Sequence, residues 1–383
     1  MNSLAAAAFI ILIWDPQQLF GASFQLSFCC VLSIALLLPV LKMGCERLLR
    51  TDPLLPKELV PPWRQKIHGP LRWLFFSIAT SLSAWLGSLP LTAYYFHLFS
   101  PVTLLANLLI VPLGSLALCA NVGSLLCGAW WPWISELLNN SAWFCMECMI
   151  RFSQWAQVVP MAYLYVSSPS AVEMAVYYGG LLGLLSGWLV APRRRVWAAA
   201  AAGVLALTWV VHWDIERHSP RLVILPMDGG LTVYVRNSAQ DGDLVVDPGT
   251  TNAVELAIAP YLRAQGVNRL PTLLLSHGDV RHVGGSTLLA EWFANPHVYA
   301  SPLRSRSPLY RRALGCFGQT PGKLTMVGRG DRVGVWMVLH PGVQEGFPQA
   351  DDNAIVLAGV LNGTRVLLLS DLGPRGQNAL LET

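Results

Sequence analysis

The stretch LLLSHGDVRHVGG, Leu273 to Gly285, holds the residues best suited to chemistry. An apolar strand runs into His277, Asp279 follows two residues on, His282 three further, and Gly284 and Gly285 open a helix. Imidazole and carboxylate groups at this spacing offer three ligands for a divalent cation on one loop. Such a loop belongs at the C-terminal edge of a strand, where an α/β sheet gathers its functional groups. His277, Asp279 and His282 are the candidate metal ligands, and Asp279 and His282 the catalytic candidates. A plainer reading stands beside this one: Asp279 caps the helix and the two histidines hydrogen-bond within the loop.

The elements that must position this loop make up only part of the chain. Of 383 residues, 54% are hydrophobic and 13% charged, with a mean hydropathy of +0.46. That is too apolar for an ordinary soluble protein. The excess lies in residues 1–213, whereas 219–383 has the charge and turn density of a soluble domain. Seven of eight cysteines fall in or beside apolar segments, so no disulfide framework or Cys-rich zinc site follows; the Cys145/Cys148 pair is read as packing.

A membrane-spanning helix needs roughly 20 apolar residues. Six segments are expected to span: Phe24–Leu41, Trp73–Phe96, Val102–Ala129, Leu137–Val159, Ala171–Ala191 and Val196–Trp213. Residues 4–14 are read as the end of a further span, so the chain is expected to begin within a larger protein. The loop from Lys42 to Arg72 is rich in Lys and Arg, and Arg193, Arg194 and Arg195 form a second basic cluster. The positive-inside rule places both in the cytoplasm, and the crossing at Val196–Trp213 then delivers the α/β domain to the outer face.

Within the membrane half, Glu147 and Arg151 stand four apart on one helix and are expected to pair. They are candidates for the polar lining of a passage, or for a salt bridge in the bundle or at the membrane interface. Pro90 and Pro112 are expected to break two spans and free backbone carbonyls that need partners.

The soluble half alternates strands and helices. Strands are predicted at Leu222–Met227, Leu231–Arg236, Asp243–Asp247, Thr272–Ser276, Val335–His340, Ala354–Leu361 and Arg365–Ser370, the last two joined by Asn362-Gly363. Helices are predicted at Asn252–Gln265 and Ser286–Phe293. The fold class is a polytopic α-helical membrane domain followed by an α/β domain of αββα sandwich type. Asp247 is read as ordering a turn, His340 as structural, and Asp351, Asp352 and Asn353 as a turn. Arg304, Arg306, Arg311 and Arg312 form a basic patch able to contact phosphates, or a solvated surface.

The segments WDPQQLFGASFQLSF, LPLTAYYFHLFSPVTLLANLLIVPLGS, VVDPG, LRAQGV, LLLSHGDVRHVGG and LLLSDLG, in this order, resemble the ComEC family of competence proteins. The resemblance implies a competence-type membrane domain over 1–213 and a metallo-β-lactamase-like domain over 219–383. It further implies a channel for uptake of single-stranded DNA across the bacterial inner membrane, with an outer hydrolase domain suspected of degrading the other strand. Asp371 of LLLSDLG matches a bridging carboxylate, and Asn353 a position near the site.

The family motif reads His, any, Asp, any, Asp, His, and Arg281 replaces the second Asp. A guanidinium in place of a carboxylate would repel a second cation. Asp228-Gly229-Gly230 stands where a longer glycine-rich acidic turn is expected, and the family's later His segment lies past Thr383. The cofactor expectation is therefore one or two Zn or Mn ions, or none. Expected partners are single-stranded DNA, the lipid bilayer, other DNA-uptake proteins and a second copy of the chain. Three function classes follow: a DNA-uptake channel component with a degenerate hydrolase domain, a membrane-anchored metal-dependent nuclease or phosphoesterase, and a non-enzymatic docking protein.

Overall fold

The computed structural model describes residues 2–49, 62–186, 219–227, 230–236 and 242–382, with scattered positions between 196 and 215. Residues 50–61 of the expected basic loop, the Arg193–Arg195 cluster, Asp228-Gly229 and half of the expected span Val196–Trp213 lie outside the described residues, whereas residues 42–49 and 62–72 of that loop are helical. The chain divides into two compact units, Met1–Val196 and Trp197–Thr383.

The first unit is helical: α1 (Asn2–Trp14), α2 (Ala22–Leu49), α3 (Pro62–Phe96), α4 (Thr103–Cys127), α5 (Pro132–Val158) and α6 (Ala171–Leu185), with a small antiparallel pair of β1 (Leu98–Phe99) and β2 (Leu164–Tyr165). Three described stretches, Ala22–Glu46, Ile67–Phe96 and Thr103–Cys127, are long and apolar enough to cross a membrane. The expected span at Leu137–Val159 is helical, but Glu136, Asn139, Asn140, Glu147, Arg151 and Gln154 make it less apolar than those three. Only fifteen residues of the expected span at Ala171–Ala191 are described as helix.

Small residues let the helices approach. On α4 the buried positions are Ala106, Ala117 and Ser124, and on α5 they are Ala142 and Ala156. Leu105, Leu109, Leu116 and Leu125 of α4 remain exposed, as suits a lipid-facing surface. Where α2 crosses α3, a Cβ on Gly87 would lie 1.8 Å from Ser33 Oγ, so only glycine fits there.

The prolines do not break the helices as expected, since α3 runs through Pro90 and α4 through Pro112. Proline removes only one backbone hydrogen bond, the one to the carbonyl four residues earlier. For Pro90 that carbonyl is Leu86, and it accepts a hydrogen bond of 2.8 Å from the Tyr177 hydroxyl on α6. Tyr178 donates to the adjacent Gly87 carbonyl at 2.9 Å. A neighbouring helix thus supplies the partner that lipid cannot.

The second unit packs two sheets face to face. One has six strands in the order β3-β4-β5-β6-β7-β8: β3 (Arg221–Met227), β4 (Gly230–Arg236), β5 (Leu244–Val246), β6 (Thr272–Leu275), β7 (His297–Ala300) and β8 (Leu324–Met326). Its first three strands pair antiparallel, and β5 to β8 run parallel. The other sheet is antiparallel, in the order β12-β11-β10-β9: β9 (Arg332–Val333), β10 (Trp336–His340), β11 (Val356–Leu361) and β12 (Thr364–Leu368).

Strand alternation builds two cores. Val233, Val235, Leu244, Val246 and Leu274 face Val333, Trp336, Val338, Ile355 and Leu357 between the sheets. Tyr234, Val245, Leu273 and Leu275 face the other way, onto helical residues such as Ile258, Leu262, Leu289 and Phe293. A third cluster, Ala354, Val356 and Leu372, packs with Leu380 of the helix Pro374–Leu381. The layers are helix, sheet, sheet and helix, the αββα arrangement expected.

Candidate metal centre

Parallel pairing assembles the centre. Val246 of β5 stands opposite Leu274 of β6, so Asp247, just past β5, arrives beside Ser276 and His277, just past β6. Asp247 holds a left-handed backbone, φ 54°, which Asp tolerates better than most residues. Its carboxylate is buried: Oδ1 accepts the Ser276 N–H at 2.8 Å, and Oδ2 accepts the hydroxyls of Ser276 and Ser370. Asp247 Oδ2 also lies 3.3 Å from His282 Nδ1, while Ser276 Oγ lies 2.8 Å from His277 Nδ1. Both imidazoles are therefore anchored through Nδ1, with ring centroids 4.5 Å apart. Gly230 leaves room for the second ring, since a Cβ there would sit 3.3 Å from two of its atoms.

The opposite ring nitrogens face acids. His277 Nε2 lies 3.3 Å from Asp371 Oδ1 and 3.5 Å from Asp351 Oδ1, and His282 Nε2 lies 3.1 Å from Asp371 Oδ2. Both Nε2 atoms are buried, and neither is aligned for a hydrogen bond. A buried polar atom without a partner costs about 1–3 kcal/mol, which a cation between imidazole nitrogens and carboxylates would relieve. These residues fit a divalent metal ion: His277, Asp351 and Asp371 form one ligand group, and Asp247, His277 and His282 another.

Charge reinforces the fit. Burial disfavours the charged form of His282, but contacts with Asp247 and Asp371 and their negative charge outweigh it and push its pKa up to about 10. Burial likewise disfavours ionised Asp371, yet His282 and the nearby charge of His277 hold its carboxyl below the usual range. The pocket is electronegative enough to hold a proton or to exchange it for a metal ion.

Asp279 is engaged elsewhere. It caps the helix Val280–Val283 through Oδ1, which accepts the Arg281 N–H at 2.9 Å. Its Oδ2 accepts the Arg281 guanidinium, from Nη2 at 2.7 Å and Nε at 3.2 Å. The structure thus brings together His277, His282 and Asp371 and adds Asp247 and Asp351, while Asp279 belongs to neither ligand group. One signal could have located Asp247 from sequence: it ends a strand whose neighbour ends at His277, and parallel neighbours share their C-terminal edge.

A cavity of about 430 Å³ opens at His277, lined also by Arg304, Arg306, Tyr310, Phe347 and Asn353. Arg311 and Arg312 sit on the helix Pro308–Gly318, exposed and outside that lining. Asn353 organises the loop, accepting the Phe347 N–H at 2.8 Å and donating to the Phe347 and Gln349 carbonyls. His340 is buried, its Nε2 2.9 Å from the Asp352 carbonyl oxygen. In the helical unit Arg151 Nε meets Glu147 Oε1 at 2.7 Å.

The competence protein family model matches residues 1–191, and the metallo-beta-lactamase superfamily model matches residues 226–313. These two matches, in this order along the chain, agree with the ComEC-family resemblance of the sequence. The chain is 28% identical over 250 residues to competence protein ComA of Neisseria gonorrhoeae, an alignment covering 64% of this chain and 32% of that protein. It is 21% identical over 420 residues to ComE operon protein 3 of Bacillus subtilis (strain 168), covering 99% of this chain and 48% of that one. The chain thus spans less than half the length of either relative. It is a membrane protein by its apolar helices and its family, with residues that suit metal use in the α/β unit.

Proposed function

We propose that the chain is a component of an inner-membrane channel that takes up single-stranded DNA, with a hydrolase-like domain on the outer face of the membrane. The observation that carries this reading is the linkage, in one chain, of a competence-type helical unit to an α/β unit whose ligand cluster opens onto an arginine-lined cavity. The two basic segments around Lys42–Arg72 and Arg193–Arg195 support the orientation. Other DNA-uptake proteins and a second copy of the chain are the proposed protein partners.

At the site, Arg304 and Arg306 would neutralise and orient phosphate oxygens beside His277. Phe347, half-buried at the cavity wall, offers an aromatic face on which an unpaired base can stack. Asp247 and Ser276 hold the imidazoles in place, and Asp371 supplies an anionic oxygen to each of them. A Zn or Mn ion bound there would supply Lewis-acid polarisation of a phosphodiester oxygen.

The test is complementation: a strain lacking the gene, given this chain, regains internalisation of labelled DNA. Protein present at normal levels without uptake would reject the channel reading. The cavity also favours a second reading, a membrane-anchored metal-dependent phosphoesterase. Replacing Arg304 and Arg306 by Ala separates the two, because cleavage of a phosphodiester probe would fall under both readings, whereas uptake would survive if passage does not need cleavage.

A further inference from the structure

We infer that the α/β unit holds a single divalent cation at His277, Asp351 and Asp371, with Asp351 standing in for Asp279 as the second carboxylate. The inference rests on reading this unit as metallohydrolase-like, but not on DNA passage.

Spacing is the first argument. Ligands about 2.0–2.1 Å from a tetrahedral ion lie about 3.3 Å from one another. His277 Nε2 is 3.3 Å from Asp371 Oδ1 and 3.5 Å from Asp351 Oδ1, and the three residues' ligand atoms all lie within 4.8 Å of one another. The histidine nitrogen is buried, without a hydrogen bond, and aimed at both acids.

The second argument is that the two acids are built as a pair. Asp351 opens the short turn Asp351–Asn353, and Asp371 precedes the helix Pro374–Leu381. Asp352, fully buried, ties these segments together: its Oδ1 accepts the N–H groups of Arg375 and Gly376, at 3.0 and 3.3 Å. Gly373 N–H donates to the Asp351 carbonyl at 3.3 Å. A Cβ on Gly373 would lie 2.3 Å from Asp352 Oδ1, so the junction is closed too tightly for any larger residue. The pair is therefore held in place before a cation arrives.

The third argument is that Asp279 is occupied by both the helix N–H and the Arg281 guanidinium. At the far oxygen of Asp371, His282 has no carboxylate from residue 281 to share a second ion. One ion is what the remaining donors hold.

The experiment is metal titration of the full chain in detergent, reading Mn²⁺ or Zn²⁺ bound per chain and its affinity. One equivalent is expected. Asp351→Asn should weaken binding at least tenfold, a loss on the scale of removing a metal-supporting group, while Asp279→Asn should leave it within about threefold. Visible spectra of the Co²⁺-loaded protein give an independent readout, expected to change with Asp351→Asn and not with Asp279→Asn. Circular dichroism checks folding, and Asp351 is only half-buried, so its replacement removes little packing. Two equivalents in the unaltered chain, or loss of binding with Asp279→Asn but not Asp351→Asn, would overturn the inference. No binding at all would overturn it together with the metallohydrolase reading, whereas loss of DNA uptake with metal binding intact would overturn only the channel reading.

Discussion

Arg281 Nη2 lies 2.7 Å from Asp279 Oδ2, so the residue standing where the family resemblance implies a carboxylate also captures the neighbouring one. The guanidinium reaches out to the loop surface and does not enter the ligand cluster. Its effect on the centre is to withhold Asp279 as well as to remove the acid that residue 281 would supply. Arg281→Asp changes both at once. The expected outcome is a rise above one bound divalent cation per chain, measured by elemental analysis after dialysis. A ratio unchanged at one would show that a second ion needs donors beyond these two acids.

Asp247→Ala should destabilise the α/β unit by about 3 kcal/mol, because removing a buried hydrogen-bonded charge strands its partners. The Ser276 N–H and the hydroxyls of Ser276 and Ser370 all depend on that carboxylate. Asp247→Asn should cost less, since Asn keeps one acceptor oxygen and tolerates the left-handed backbone. Thermal unfolding of the two variants in detergent checks the order; equal loss would mean that the charge alone matters.

The pH dependence follows from His282. Its pKa is about 10 in the fold, above the ordinary 6.5, so in metal-free protein its charged form stabilises the fold fully below pH 6.5. That contribution is lost as pH rises through about 10. Melting temperature in chelator should fall across this interval. A cation on Asp371 is repelled by the charged ring, whose Nε2 lies 3.1 Å from Asp371 Oδ2, so divalent affinity should rise over the same interval. Calorimetric titrations at several pH values test it, with proton release on binding as the signature.

Glu147 and Arg151 lie on the face of α5 turned away from the buried Ala142 and Ala156, as their helical spacing requires. Replacing both by Leu should therefore leave the packing of the helical unit intact. If that face lines the passage, internalisation of labelled DNA should fall at least tenfold at normal protein levels. Unchanged uptake would remove the lining role.

Tyr177→Phe deletes the hydrogen bond to the Leu86 carbonyl. Bonds of this kind between membrane helices are worth about 0.6 kcal/mol, at most about 1.7. A loss in that range is expected from equilibrium unfolding in detergent. Pro90→Ala should offset it, because an N–H at position 90 restores the helix's own bond to Leu86.

Much of the sandwich was legible in sequence because its strands alternate. β3, β4, β6, β11 and β12 read as apolar runs, and Asn362-Gly363, both at positive φ, is the turn that such a pair requires. β7 is four residues that open on His297, and β9 is two, too short for a period to show. The helix Pro308–Gly318 was read only as a basic patch, since its four nearby arginines drew attention from its buried Tyr310 and Ala313. At the centre, His277 and His282 were visible as types at a spacing, and Asp371 through the family resemblance. Asp247 was not, because Asp-Pro-Gly reads as a turn until the β5–β6 pairing sets it beside Ser276. Asp351 reaches the centre only through the Asp352 junction, which local sequence does not encode.

The Tyr177 bond to Leu86 also bears on the order in which the helical unit is made. Pro90 leaves the Leu86 carbonyl of α3 bare as the helix leaves the ribosome, and its partner is encoded 91 residues later. In the interval that carbonyl has no helical N–H to meet and no water within the bilayer core. The Leu86 carbonyl is satisfied only once α6 has been synthesised, so one hydrogen bond of α3 waits for a helix translated after α4 and α5. Proline at position 90 thereby couples an early helix to a late one through a single hydrogen bond.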